Sequence, residues 1–193
     1  MPSNIIYKAA MGFMKVIFKI EIKGEHNLPA EGGCMVCSNH ISMWDPVLIS
    51  CFFPRRISFV AKEELKRVPF VGGVLKSVGT IFIKRNSGDL AAIKMSIKAI
   101  GEGKVLGIFP TGTREKRDPN AKLKSGAALI AAKTGATVVP VGIKATYKLF
   151  SKVEVTIGEP IDYSSCKGQK MTSEQLETMI AEIYDKILEI KSC

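Results

Sequence analysis

The sequence predicts an α/β fold: a single-domain sandwich with a largely parallel or mixed central sheet flanked by helices, plus an N-terminal amphipathic helix. Three observations carry this. Short β-rich runs alternate with helical segments over residues 21–193, the pattern of strands joined by crossover helices. With 193 residues, 46% apolar and 24% charged, the chain can bury one substantial core and is not disordered. No internal repeat, low-complexity tract or linker divides it.

Residues 1–20 form the amphipathic helix. Ile6, Ala9, Phe13, Ile17 and Ile20 recur at helical spacing, while Lys8, Lys15 and Lys19 supply positive charge. Such a helix suits an anionic membrane surface. Phe18 to Lys23 alternates as a strand and stops at Gly24 and the Asn27-Leu28-Pro29 turn. Gly32-Gly33 precede a second strand, Cys34 to Ser38. Asp45-Pro46 then reads as a helix start, with Asp as N-cap and Pro at the first helical position. That helix ends near Phe53, before Pro54.

Arg56 to Ala61 is the third strand, and Val68 to Val78 a short Gly-containing helix. Gly79 to Arg85 is a strand ending in two cations. A helix follows to about Ile100, with Leu90, Ile93, Ile97 and Ile100 on one face. Lys104 to Phe109 is a strand stopped by Pro110-Thr111-Gly112-Thr113-Arg114. After a basic loop, 116–124, a helix runs to about Lys133, with Gly135 as its C-terminal signal. Thr137 to Ile143 and Lys152 to Ile157 are strands. The helix from Thr172 to Ile190 is the best marked: Thr172 and Gln175 suit a capping box, and Leu176, Ile180, Ile183, Ile187 and Ile190 form a stripe.

The 28 Lys and Arg against 18 Asp and Glu give a net charge of +10, so an acidic partner is expected. The aromatic residues lie inside apolar runs and do not interleave with the basic ones, which argues against nucleic acid. No run reaches the ~18 apolar residues of a transmembrane helix. Five cysteines, an odd number without a secretory signal, suggest reduced thiols. Cys34 and Cys37 have metal-like spacing, but no second Cys/His pair completes a site, so no metal is expected.

Ligands of open α/β sheets gather beyond the carboxyl ends of strands. Three such ends carry polar chemistry: Asn39 to Asp45, Lys84 to Ser87 and Pro110 to Arg114. His40 is the strong acid/base candidate. If its loop folds back over the following helix, the Asp45 carboxylate can fix one ring nitrogen and leave the other to take a hydroxyl proton. Ser42 offers a nucleophilic alternative, but no Gly-x-Ser-x-Gly elbow presents it. Arg85 and Arg114 suit a phosphate, and the Gly112-Thr113 backbone an oxyanion.

Four segments now carry a resemblance. Asn39-His40-x4-Asp45, Gly79-Thr-Ile-Phe-Ile-Lys-Arg85, Phe109-Pro-Thr-Gly-Thr-Arg114 and Val139-Pro140-Val141 resemble, in order, the four blocks of the glycerolipid acyltransferases with the HxxxxD motif. The similarity runs from about Gly24 to Gly158. It implies an O-acyltransferase domain over 21–193 that moves a fatty acyl group from acyl-CoA or acyl-carrier protein, as co-substrate and without a cofactor, to a lysophospholipid. The acceptor implied is 1-acyl-glycerol-3-phosphate, its sn-2 hydroxyl giving phosphatidic acid. His40 would be the general base and Asp45 its partner. Arg85, Arg114 and the Gly112 backbone would hold the acceptor phosphate, with Lys62 in Phe59-Val-Ala-Lys-Glu-Glu-Leu65 nearby. The location implied is peripheral, on the cytoplasmic face of a membrane.

One position departs. Where the family's third block usually has Glu, this chain has Thr111, which hydrogen-bonds but cannot balance an Arg charge. With Thr111 and Thr113 counted among the substrate-binding residues, two other readings follow: a different lysolipid acceptor, or a non-catalytic lipid-binding protein of the same fold.

Overall fold

A computed structural model describes residues 5–69, 71–77, 79–83, 88–115, 117–118 and 120–192. Seven strands form one sheet: β1 (Lys19–Lys23), β2 (Cys34–Ser38), β3 (Ile57–Lys62), β4 (Ile81–Ile83), β5 (Val105–Ile108), β6 (Val138–Ala145) and β7 (Lys152–Ile157). Their order across the sheet is β1-β7-β6-β2-β5-β3-β4. All neighbours pair in parallel except β6 and β7, which form an antiparallel hairpin. The sheet is therefore mixed and mostly parallel, as expected.

Helices cover both faces. On one side α1 (Ile5–Ile17), α2 (Asp45–Phe52) and α3 (Val71–Ser77) pack together and contribute Ala10, Met14, Val47, Leu48 and Leu75 to one core. On the other, α4 (Gly88–Gly101), α5 (Gly126–Thr134) and α6 (Ser173–Ser192) contribute Ile100, Ala128, Ala131, Ile180, Ile183 and Ile187. The central strands are buried on both faces; every residue of β2 is buried, as a covered parallel strand requires. Cys34 and Cys37 are an odd number apart on β2, so Cys34 joins one core and Cys37 the other. Opposite faces cannot share a metal. Burial pushes both thiols up, that of Cys37 to about 12.

The end signals of two helices are realised. Gly135 takes a left-handed φ of 64° and its N–H closes on Ala131 O. Thr172 and Gln175 exchange the two capping-box bonds, at 2.8 and 3.2 Å. Three readings need correction. Trp44, not Asp45, caps α2, because the Asp45 carboxylate is turned back to the N–H groups before it. Leu90 is 72% exposed, since α4 covers the sheet only from its middle onward. The apolar face of α1 is split: Ala10 and Met14 are buried against the domain, while Ile5, Ala9, Phe13 and Val16 point outward with Lys8 and Lys15. The helix stops at Ile17, and Lys19, placed on the helix by periodicity, starts β1.

Candidate active site

The topology makes a crevice between β2 and β5. These strands are parallel neighbours, with Cys37 opposite Ile108. The chain leaving β2 turns onto one face through α2, and the chain leaving β5 turns onto the other through α5. Where adjacent strands diverge in this way, the carboxyl ends leave room for a ligand. His40 emerges from β2 and Phe109 from β5, and their rings stack at 4.1 Å with 17° between the planes.

The loop carrying His40 is fixed from several directions. Asn39, fully buried, exchanges two bonds with the backbone of Ile143 on β6, at 2.9 and 2.8 Å. His40 Nδ1 lies 2.7 Å from Asp45 Oδ2, which also accepts the N–H groups of Ile41 and Ser42 at 2.7 and 2.8 Å. Those bonds are the fold-back that a regular helix would not allow, since positions five apart differ by about 140°. The other carboxylate oxygen accepts the Tyr147 hydroxyl at 2.6 Å. Asp45 is fully buried, and four donors satisfy its two oxygens. Burial and the Asp45 charge both push the Tyr147 hydroxyl well above its ordinary range, so it remains a donor.

The His40 ring ends a column of stacked rings in which Phe109 is the middle member. Phe59 stacks on the far side of Phe109 at 5.4 Å. Gly107 makes this possible, because a Cβ there would collide with the Phe59 ring. His40, Phe59, Phe109, Pro110, Gly112 and Lys124 line a cavity of about 810 Å³ that continues past Leu75, Ile93, Leu129 and Ile130. With Nδ1 held by Asp45, Nε2 is the nitrogen available for proton transfer.

The turn after β5 is tied to the same loop: the Glu115 N–H donates to His40 O at 2.8 Å. Thr111 is buried and its hydroxyl donates to Thr113 O at 2.8 Å, closing the turn locally. The Gly112 N–H is likewise donated, to Phe109 O at 2.9 Å. What Gly112 contributes is room: its φ is 64°, and a Cβ would meet the side chain of Lys124. Arg114 is partly buried in this turn, and its neighbour Glu115 pairs with Lys191 of α6 at 3.0 Å. Lys62 ends β3, two strands from His40, opposite Ile83 of β4. Arg85 lies outside the described residues.

The structure thus brings together His40, Asp45, Gly112 and the Thr111–Arg114 turn. Two residues of the site had no role from sequence. Tyr147 lies 102 positions from Asp45, in a loop with no motif. Lys124 belongs to the basic loop already noted, but only its contact with Gly112 distinguishes it. Among the described residues, no group of three or more His, Cys, Asp or Glu is placed to hold a metal.

Residues 19–144 match the acyltransferase family model. A 1-acyl-sn-glycerol-3-phosphate acyltransferase of Borreliella burgdorferi is 36% identical over 136 residues, 69% of this chain and 54% of that protein. The chain thus aligns with about half of that relative's length. The enzyme of that name in Bacillus subtilis is 29% identical over 97% of this chain and 98% of its own. The crystal structure of a 1-acyl-sn-glycerophosphate acyltransferase from Thermotoga maritima superposes with a TM-score of 0.69 and 28% identity, over 97% of this chain and 80% of that one.

Proposed function

The chain belongs to the acyltransferase family, and on that premise we propose that it acylates the sn-2 hydroxyl of 1-acylglycerol 3-phosphate to give phosphatidic acid. The Borreliella burgdorferi and Bacillus subtilis relatives are named 1-acyl-sn-glycerol-3-phosphate acyltransferases, which supports this reading. The observation supporting a catalytic protein over a lipid-binding one is the His40–Asp45 pair beside an apolar cavity.

The acceptor hydroxyl lies against His40 Nε2, which takes its proton as the oxygen attacks the thioester carbonyl. Asp45 holds the ring through Nδ1 and stabilises the imidazolium, its own charge spread over the Ile41, Ser42 and Tyr147 donors. The Phe109 face adds a favourable surface for the cationic ring. Collapse of the tetrahedral adduct expels the thiolate, which recovers the proton from His40. Because a thioester is already activated, no acyl-enzyme is needed. The donor is acyl-CoA or acyl-carrier protein, a co-substrate in either case.

The acceptor phosphate is an anion, and the cations available are Arg114 and Lys124, with Arg85 and Lys62 from the motif pattern. The apolar part of the cavity suits an acyl chain. At about 810 Å³, it falls within the usual ligand-pocket range. The exposed apolar face of α1, flanked by lysines, rests on an anionic membrane surface where lysolipids reside. No helix among the described residues is long and apolar enough to cross that membrane, and the reading places the protein peripherally on its cytoplasmic face.

Thr111 motivates a second reading, with another lysolipid as acceptor. Its hydroxyl is used within the turn, so no carboxylate stands at that place beside Arg114. The discriminating experiment presents an acyl thioester with a panel of lysolipids and follows free thiol. Preference for 1-acylglycerol 3-phosphate supports the main reading. Preference for an acceptor without a phosphomonoester selects the second, and absence of thiol release with every acceptor, despite vesicle binding, overturns both.

A further inference from the structure

The β6–β7 hairpin turn, residues 146–151, combines three features. Leu149 and Phe150 are 66% and 62% exposed at its tip. Tyr147 and Phe150 have positive φ, 55° and 60°, the described non-glycine residues that do so. Left-handed backbone is strained at a bulky side chain, and clusters of such outliers point to function. Tyr147 uses its geometry to reach Asp45. Phe150 uses the same conformation to present an aromatic ring to solvent, which gains nothing for a protein surrounded by water.

The turn is also built onto α1. The Phe150 N–H donates to Ile17 O at 2.7 Å, at the C-terminal end of α1, and the Lys19 N–H donates to Ser151 O at 3.0 Å. Phe18 packs edge-on against Tyr147 at 5.4 Å. Leu149 and Phe150 therefore continue from the end of the helix whose outward face carries Ile5, Phe13 and Val16. Charge runs the same way. Residues 1–20 and 144–153 contain no Asp or Glu, while Lys8, Lys15 and Lys19 lie in the first and Lys144 and Lys148 in the second; Lys152 is paired with Glu21 and Glu154 at 2.9 and 2.8 Å. Large apolar side chains ringed by lysines match an anionic bilayer, where the rings enter the headgroup region and the ammonium groups meet phosphate.

We propose that the β6–β7 turn is a second bilayer-docking element, inserting Leu149 and Phe150 into an anionic lipid surface beside α1. The proposal rests on the reading of α1 as lipid-facing and adds a contact that periodicity in the sequence does not reveal. It also places docking two residues from the Tyr147–Asp45 bond, so the element that touches lipid holds the carboxylate that orients His40.

The test is cosedimentation of the full chain with phosphatidylglycerol-containing vesicles and with pure phosphatidylcholine vesicles. Three proteins are compared: wild type, Leu149→Ser/Phe150→Asn, and Ile5→Ser/Val16→Ser. Asn tolerates a left-handed φ better than Phe, so the turn variant should melt no lower than wild type, and thermal unfolding verifies its fold. The expected result is preference of wild type for anionic vesicles and a drop in partitioning of about tenfold or more in each variant. Unchanged partitioning of the turn variant, with loss in the α1 variant, overturns this inference and leaves α1 as the docking element. Failure of wild type to bind anionic vesicles overturns both.

Discussion

Replacing Tyr147 with Phe removes one oxygen atom and one hydrogen bond, the 2.6 Å donation to Asp45 Oδ1. Asp45 is fully buried, so no bulk water substitutes. A hydrogen bond to a charged group contributes about 1.5–3 kcal/mol, and its loss leaves the carboxylate oxygen unsatisfied. Taking about 2 kcal/mol and about 2–4 °C per kcal/mol for a chain of this size, Tm should fall by about 4–8 °C. Catalysis should change in a distinct way. Asp45 keeps its bond to His40 and its two backbone donors, so the dyad survives. Without the Tyr147 donor the Asp45 side chain orients the ring less firmly, so kcat should fall several-fold while the KM of either substrate changes little. The assays are calorimetry and steady-state thiol release. A structural filler role alone would lower Tm and leave kcat in place. If both Tm and kcat match wild type, Tyr147 does not support Asp45 and the reasoning fails.

Three further outcomes follow from the geometry. Lys124→Ala should raise the KM for a phosphate-bearing acceptor several-fold with a smaller change in kcat, while the KM for the acyl donor stays near its original value; equal effects on both substrates would remove Lys124 from the acceptor side. Gly107→Ala forces the Phe59 ring away from Phe109, so it should destabilise by about 1–3 kcal/mol and lower kcat beyond that, measured by chemical denaturation and steady-state kinetics. Burial holds the Cys37 thiol at about 12 against an ordinary 9.0. The unfolded chain therefore ionises first as pH rises above 9, and stability present below pH 9 declines towards 12. Cys37→Ala should flatten that alkaline decline in denaturation midpoints.

Much of the site was legible because its parts are local or end strands. His40 and Asp45 are five residues apart, and the turn Pro110 to Arg114 interrupts an apolar strand, so both stood out as polar chemistry at sheet ends. The fold class was legible for a related reason: buried parallel strands read as unbroken apolar runs, and β2 is one. Element ends were less so. Residue types at strand ends differ little from those in the turns that follow, and among the described residues β4 is Ile81–Ile83. Tyr147 was hidden because its partner is brought near by the pairing of β2 with β6, which no local pattern encodes. The two apolar faces of α1 were merged for a different reason. A helix that packs on the domain through Ala10 and Met14 and presents Phe13 and Val16 outward has apolar residues most of the way round, and periodicity then cannot assign the sides.

The central claim is that His40 is the base in acyl transfer to a lysophospholipid hydroxyl. The most direct measurement is formation of diacyl product by mass spectrometry from 1-acylglycerol 3-phosphate and an acyl thioester, comparing wild type with His40→Ala. General-base catalysis contributes about 10²–10⁴-fold, so the variant should lose transfer by at least about a hundredfold while keeping its fold and its affinity for vesicles. Product formation by His40→Ala at a rate close to wild type would contradict the account.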